Sequence, residues 1–122
     1  MQPLAIVFYE RLMPGSQLVN RLQDLNYRVV TVNNAAVLAA TVKREMPLLL
    51  LADTDTKADI LTAIEKIKAE AGTVHIPIIA FAPDNEPDLL EAARKAGANF
   101  TIAESMVSAH LAQLLDQALH VE

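Results

Sequence analysis

The chain has 122 residues, a formal net charge of −5 and no cysteine. This length fits one domain with a single core, so we expect residues 1–122 to form one unit. The negative charge argues against nucleic-acid binding, and the absence of cysteine excludes disulfides and thiolate chemistry. The chain start lacks the features of a signal peptide, and no apolar run is long enough to cross a membrane. We therefore expect a cytoplasmic protein without membrane contact.

Short apolar runs alternate along the chain with segments whose apolar residues recur at helical spacing. The runs predict strands over 3–9, 28–32, 47–53, 76–82 and 99–103. The segments that follow predict five helices: one ending near 26, three over about 35–45, 57–71 and 87–96, and a last one with Ser105 as its N-cap and Val107, Leu111, Leu114 and Ala118 buried. This alternation, joined by short loops, predicts an α/β fold: a flavodoxin-like, doubly wound parallel sheet in the order 2-1-3-4-5, with helices on both faces.

The most informative stretch runs from Pro47 to Asp53. Its apolar run is unbroken on both alternating faces and stops abruptly at the carboxylate. Such a run is typical of a central parallel strand that helices cover on both sides. Ligands bind at the carboxyl ends of the strands in open α/β sheets, so Asp53 is predicted to lie in a crevice there. We expect Asp55 and Thr56 to cap the following helix.

Three stretches carry a family resemblance, which covers essentially all 122 residues. They run from Pro47 to Asp53, from Ile76 to Ala82, and from Ala92 to Asn99. In this order and spacing they resemble the receiver domain of two-component response regulators. Receivers accept a phosphoryl group from a histidine kinase onto an aspartate at the end of the third strand, and Asp53 matches that position. The resemblance implies a signalling domain of the phosphorelay type that is not an enzyme.

The resemblance also implies a candidate Mg²⁺ site, but with fewer ligands than usual. Receivers carry two acidic residues at the end of the first strand, where this chain has Tyr9 and Glu10. Glu10 and Asp53, with the backbone carbonyl of Asp55, are the candidate ligands, and one lost charge predicts weaker binding. Glu10, Asp53 and Glu104 form an alternative cation site without phosphate. We also expect the ring of Tyr9 to fill part of the crevice.

Three more positions depart from the receiver pattern. The threonine or serine that contacts the phosphoryl group corresponds to Ala82, the aromatic switch residue to Thr101, and the lysine at the end of the fifth strand to Glu104. A carboxylate at position 104 is expected to repel both Asp53 and a phosphoryl group. The chain therefore resembles a degenerate receiver, or pseudo-receiver, that acts by protein–protein interaction without normal phosphorylation switching.

Two alternatives and a partner surface complete the predictions. The chain is alternatively an active receiver, with Asp53 as the phosphoacceptor, or a small flavodoxin-like domain that binds another ligand in the same crevice. The expected partner is a protein, either a histidine kinase or a second copy of the chain. Receivers commonly use helix 4, strand 5 and helix 5 for such contacts. The candidate anchors on that surface are Leu90, Val107, Leu111 and Leu115. Alternatively, Val107 and Leu111 belong to the core, and Leu115 and Leu119 form a second apolar edge of the last helix.

Overall fold

Five parallel strands form one sheet in the order β2-β1-β3-β4-β5, which confirms the predicted fold class. The structure is a computed structural model that describes residues 3–56, 59–107 and 109–119. Its strands are β1 (Leu4–Phe8), β2 (Arg28–Val32), β3 (Leu49–Asp53), β4 (Ile78–Ala82) and β5 (Phe100–Ala103). Its helices are α1 (Leu12–Asp24), α2 (Ala35–Glu45), α3 (Ile60–Ala69), α4 (Pro87–Ala96), α5 (Glu104–Val107) and α6 (Leu111–Leu119). Within these residues, no helix combines the length and the apolar character that a membrane crossing requires.

The register of the sheet brings the ends of the strands together. Every residue of β1, β3 and β4 is buried, as expected for central strands between two helical layers. Asp53 pairs with Phe81, and Ala82 pairs with Ala103. The last residue of β3 is therefore adjacent to the ends of its neighbours, at the edge where parallel sheets bind ligands.

Two aliphatic core layers fix the sheet from opposite faces. The layer under α2, α3 and α4 includes Ile6, Phe8, Leu38, Leu50, Ile64 and Ile78. The layer under α1, α5 and α6 includes Val7, Leu18, Leu22, Leu51, Phe81, Val107 and Leu111. Because both layers are fully packed below the carboxyl edge, the strand ends have fixed positions relative to one another.

The last helical region differs from the prediction of one continuous helix. α5 ends at Val107, and α6 begins at Leu111. α5 begins at Glu104, directly after β5, so the predicted N-cap role of Ser105 is wrong. The buried side of α6 contains Leu111 and Leu115, which continue the four-residue spacing from Val107, and Leu114 is only partly buried.

The start of the third helix also differs from the prediction. The predicted residues 57 and 58 lie outside the described part of the chain. The N-cap of α3 is Asp59, whose carboxylate accepts a hydrogen bond of 3.1 Å from the backbone N–H of Thr62. The predicted capping role of Asp55 and Thr56 is therefore wrong, because both precede the cap by at least three residues.

Candidate functional site

Asp53 is a completely buried carboxylate at the end of the central strand, with 0% of its side chain exposed. The following turn is fixed by Thr54, whose backbone N–H and hydroxyl both donate to the carbonyl of Phe81 at 2.9 Å. This turn lets the backbone N–H of Asp55 donate to Asp53 Oδ1 at 2.9 Å. A buried carboxylate needs several donors to offset its lost hydration, and this bond supplies the first of them.

Arg11 supplies the other donors to Asp53. Its Nε donates to Oδ2 and its Nη2 donates to Oδ1, both at 2.9 Å. This two-point geometry is the strongest arrangement available to an arginine and a carboxylate. Arg11 comes from the loop between β1 and α1, and its side chain is 28% exposed. The guanidinium therefore covers the candidate phosphoacceptor from the solvent side.

The same guanidinium bonds two further carboxylates. Nη2 also donates to Glu104 Oε1 at 2.8 Å, and Nη1 lies 3.4 Å from Asp55 Oδ2. We call Arg11, Asp53, Asp55 and Glu104 the Arg11 cluster. It joins the loop after β1, the turn after β3 and the start of α5 through one cation.

The hydrogen bond to Asp53 is the largest influence on the pKa of Arg11, and it raises that pKa. Partial burial acts in the opposite direction, while the hydrogen bond to Glu104 and the charges of both carboxylates raise the pKa further. Arginine is already protonated throughout the physiological range, so Arg11 remains a fixed cation in the cluster.

The predicted repulsion between Glu104 and Asp53 left Arg11 out, whose positive charge lies between the two carboxylates and offsets it. Glu104 and Asp53 accept hydrogen bonds from the same nitrogen, Nη2. Receivers have a lysine at the end of β5, where this chain has the carboxylate of Glu104. The cation beside Asp53 is instead Arg11, in the loop after β1. The sequence offered one signal for this: an arginine follows Glu10 directly, in a loop at the same edge as Asp53.

The predicted cation sites are not formed. Both oxygens of Asp53 are engaged by Arg11, and the carboxylate of Glu10 accepts a hydrogen bond from the hydroxyl of Thr56. Within residues 3–56, 59–107 and 109–119, no group of three or more acidic, histidine or cysteine side chains is arranged to hold a metal ion. This donor set does not fit Mg²⁺, because its central carboxylate is already paired with a guanidinium.

Three other predicted positions surround the crevice. Ala82 is fully buried at the end of β4 and offers a methyl group instead of a hydroxyl. Thr101 is partly buried on β5 and pairs with Ala80. The ring of Tyr9 lies against Gly15 of α1 and packs on the core layer beneath that helix. Arg11, which the sequence analysis did not single out, covers Asp53 in place of the tyrosine.

Ser105 and Asp84 form a second polar contact at this edge. The carboxylate of Asp84 accepts hydrogen bonds from the backbone N–H of Ser105, at 3.1 Å, and from its hydroxyl. These bonds lower the pKa of Asp84, with the hydroxyl contributing most. The contact joins the loop after β4 to the start of α5, next to Glu104.

The predicted partner anchors are mostly not available at the surface. Val107, Leu111 and Leu115 are buried in the core layer under α1, so they are not available as surface anchors. The alternative placement of Val107 and Leu111 in the core is confirmed, whereas Leu115 does not form a second apolar edge. These three residues recur every four positions and form the side of α5 and α6 that packs on this core layer. Leu90 is partly buried on α4. Met106, on α5, is an exposed apolar side chain in the same region.

Comparison with known proteins identifies the architecture. No family model and no curated protein matches the chain. Among solved structures, a protein from Chloroflexus aurantiacus assigned as a response regulator matches with a TM-score of 0.89 and 16% identity, over 99% of this chain and 100% of that one. The receiver domain of a sensor histidine kinase from Pseudomonas aeruginosa, solved with magnesium in its active-site cleft, matches with a TM-score of 0.89 and 20% identity over the same shares.

The fold is that of response regulator receiver domains. A chemotaxis response regulator of Vibrio cholerae has the same fold, with a TM-score of 0.84 and 13% identity over 98% of this chain and all of that one. Identities this low support the receiver fold alone. Any functional conclusion therefore depends on the residues at the carboxyl edge of this chain.

Proposed function

We propose that this chain is a receiver-type signalling domain that acts through protein contacts and is not switched by phosphorylation of Asp53. The observation that carries the proposal is the two-point contact of Arg11 with Asp53, at 2.9 Å for each bond. It supplies the buried carboxylate with a permanent counter-ion from the same chain. The buried carboxylate therefore needs no metal ion to neutralise it.

Phosphorylation would require the opposite arrangement. An attacking carboxylate needs an accessible oxygen, and phosphoryl transfer needs cations around the transferred group. Asp53 has both oxygens engaged and no exposed surface, and Ala82 provides no hydroxyl for a phosphoryl oxygen. Glu104 adds a negative charge where a phosphoryl group would carry its own. These features together disfavour the alternative of an active phosphoacceptor.

The partner in this proposal is a protein, by resemblance either a histidine kinase or a second copy of the chain. The surface formed by α4, β5 and α5 remains the proposed contact region, with the partly buried Leu90 and the 48% exposed Met106 as its apolar side chains. Sedimentation velocity over a range of concentrations tests the second copy. A dimer that Met106→Asp weakens would support this surface, and a dimer that this change leaves intact would argue against it.

Intact-mass spectrometry after incubation with acetyl phosphate and Mg²⁺ tests the central proposal. We expect no phosphoryl adduct on the wild-type chain or on Asp53→Asn. Arg11→Ala tests whether the guanidinium blocks the site, and Arg94→Ala is its matched control, because Arg94 pairs with Glu91 on the surface of α4. An adduct on the wild type that Asp53→Asn abolishes would contradict the proposal and identify an active receiver.

A further inference from the structure

The start of α5 is held from two sides by side chains of other loops. Glu104 accepts the 2.8 Å hydrogen bond from Arg11, and the next residue, Ser105, donates twice to Asp84. We call residues 103–105 the β5–α5 junction. The chain changes direction from strand to helix there without an intervening loop. Two consecutive residues therefore connect it to the loops that follow β1 and β4.

Arg11 is a rigid partner for this junction. Its contact with the buried Asp53 already fixes the guanidinium, so pairing with Glu104 requires the ordering of only one further side chain. The two residues are separated by 93 positions in the sequence, and each is less than one-third exposed. Charge-assisted hydrogen bonds of this kind contribute more to stability than neutral ones. The pair is thus a strong long-range connection between the loop after β1 and the start of α5.

We propose that the contact between Arg11 and Glu104 is a conformational lock. It holds the β5–α5 junction against the loop after β1, and so keeps the adjoining surface of α5 in one arrangement whatever the signal. This inference rests on the proposed function. It adds that Arg11 keeps the surface of α5 in a single conformation, with Glu104 as the residue that positions the β5–α5 junction. The lock explains why a carboxylate at position 104 suits a receiver fold that lacks phosphoryl switching.

Hydrogen–deuterium exchange of the full chain tests the lock. In Glu104→Ala we expect the amides of residues 103–107 to exchange about tenfold faster, the effect of one lost charge-assisted hydrogen bond. Exchange over α2 and α3 should be unchanged, which also shows that the variant is folded. Glu91→Ala is the matched control, since it removes an acid from an exposed ion pair on α4. This control should leave residues 103–107 at the wild-type rate.

The same exchange measurement in an Arg11→Gln background shows whether the effect of Glu104→Ala depends on Arg11. In Arg11→Gln the junction should already exchange fast, so that adding Glu104→Ala produces little further change. The lock is wrong if Glu104→Ala leaves exchange at 103–107 unchanged, or if it accelerates exchange equally in both backgrounds. The mass measurement with acetyl phosphate separates this result from the proposed function. The proposed function stands, and the lock is rejected, if the wild type is not phosphorylated and Glu104→Ala has the same effect on exchange with and without Arg11.

Discussion

The two ends of the parallel strands are stabilised by different kinds of contact. We call the side of the sheet where the strands end the carboxyl edge, and the side where they begin the amino edge. At the carboxyl edge, side chains from separate loops bond one another, as Arg11 does with Glu104 and Asp84 with Ser105. At the amino edge, the turns at Asn26 (φ 69°) and Met46 (φ 47°) are closed locally. Long-range contacts occur at this edge too, between Lys43 and Glu70 at 2.7 Å and from the backbone N–H of Ile78 to Asn99 Oδ1 at 2.9 Å, but neither involves these two turn residues. The carboxyl edge therefore behaves as one unit, in which the effect of a substitution depends on distant residues. Substitutions at Asn26 and Met46 should act independently of the Arg11 cluster.

The largest expected effect comes from removing the cation at the centre of the carboxyl edge. Arg11→Ala leaves Asp53 buried without a counter-ion, with two more carboxylates beside it. We expect a loss of about 3 kcal/mol in the free energy of unfolding, at the lower end of the range for a broken buried pair because Arg11 is partly exposed. Urea denaturation measures this loss, and Arg94→Ala should show no measurable change.

The double variant identifies the cause of that loss. Asp53→Asn removes the buried charge, so Arg11→Ala should cost much less in that background than in the wild type. Equal costs in both backgrounds would mean that Arg11 contributes through packing and not through charge. The coupling described for the carboxyl edge would then be absent from its central pair.

The next effect separates two glycines. A Cβ at Gly15 would overlap the ring of Tyr9, whereas a Cβ at Gly72 would have nothing within 4 Å. We expect Gly15→Ala to destabilise the fold by about 1–3 kcal/mol, as overpacking does, and Gly72→Ala to be neutral or slightly stabilising. Thermal unfolding of the two variants tests this difference. Replacing Tyr9 with valine should remove most of the cost of Gly15→Ala, and a cost unaffected by that change would point to the backbone of α1.

The sequence predicted the sheet better than the site, for physical reasons. The central strands were predictable because apolar residues on both faces, as in Leu49–Asp53, are compatible with few other structures. The break after Val107 was not predictable, because Val107, Leu111 and Leu115 keep helical spacing across it. The burial of Leu115 was missed because Leu114 and Leu115 are both compatible with the apolar face of a helix that begins this way. Arg11 was missed because its role depends on the reach of a side chain across the sheet edge. Residue types at strand ends do not reveal such contacts.

At the amino edge, a single turn residue should act alone. Met46 caps α2 in the left-handed conformation, with φ 47° and ψ 61°, and is 49% exposed. Met46→Gly should raise the free energy of unfolding by about 0.5–1 kcal/mol, because glycine adopts this conformation without strain. Met106→Gly is the control, as Met106 is 48% exposed but helical and should lose about 1 kcal/mol. The gain from Met46→Gly should be the same with or without Arg11, and dependence on Arg11 would contradict the independence of the two edges.

The smallest effect tests a local contact that lies at the carboxyl edge. Asp59 accepts hydrogen bonds from the hydroxyl and the backbone N–H of Thr62, at 2.6 and 3.1 Å, and these bonds lower its pKa, the hydroxyl contributing most. Because the folded pKa lies below the unfolded one, the contribution to stability is present above the unfolded pKa and is lost as the pH falls through the folded pKa. Asp59→Asn should therefore lower the melting temperature at pH 7, and the difference between the two melting temperatures should shrink as the pH falls below the ordinary aspartate pKa of about 3.9.

The pH dependence of Asp59 also marks the boundary of the coupled region. Thr62→Val removes the hydroxyl donor. In that background, the difference in melting temperature at pH 7 between the protein with Asp59 and the Asp59→Asn variant should be smaller. Arg11→Ala should leave this difference unchanged, because the contact between Asp59 and Thr62 spans only three residues and does not involve the Arg11 cluster. A difference that shifts with Arg11→Ala would extend the coupled unit from the crevice to the start of α3. The effects of two substitutions on stability would then be coupled whenever both residues lie at the carboxyl edge, whatever the sequence separation of the residues that they contact.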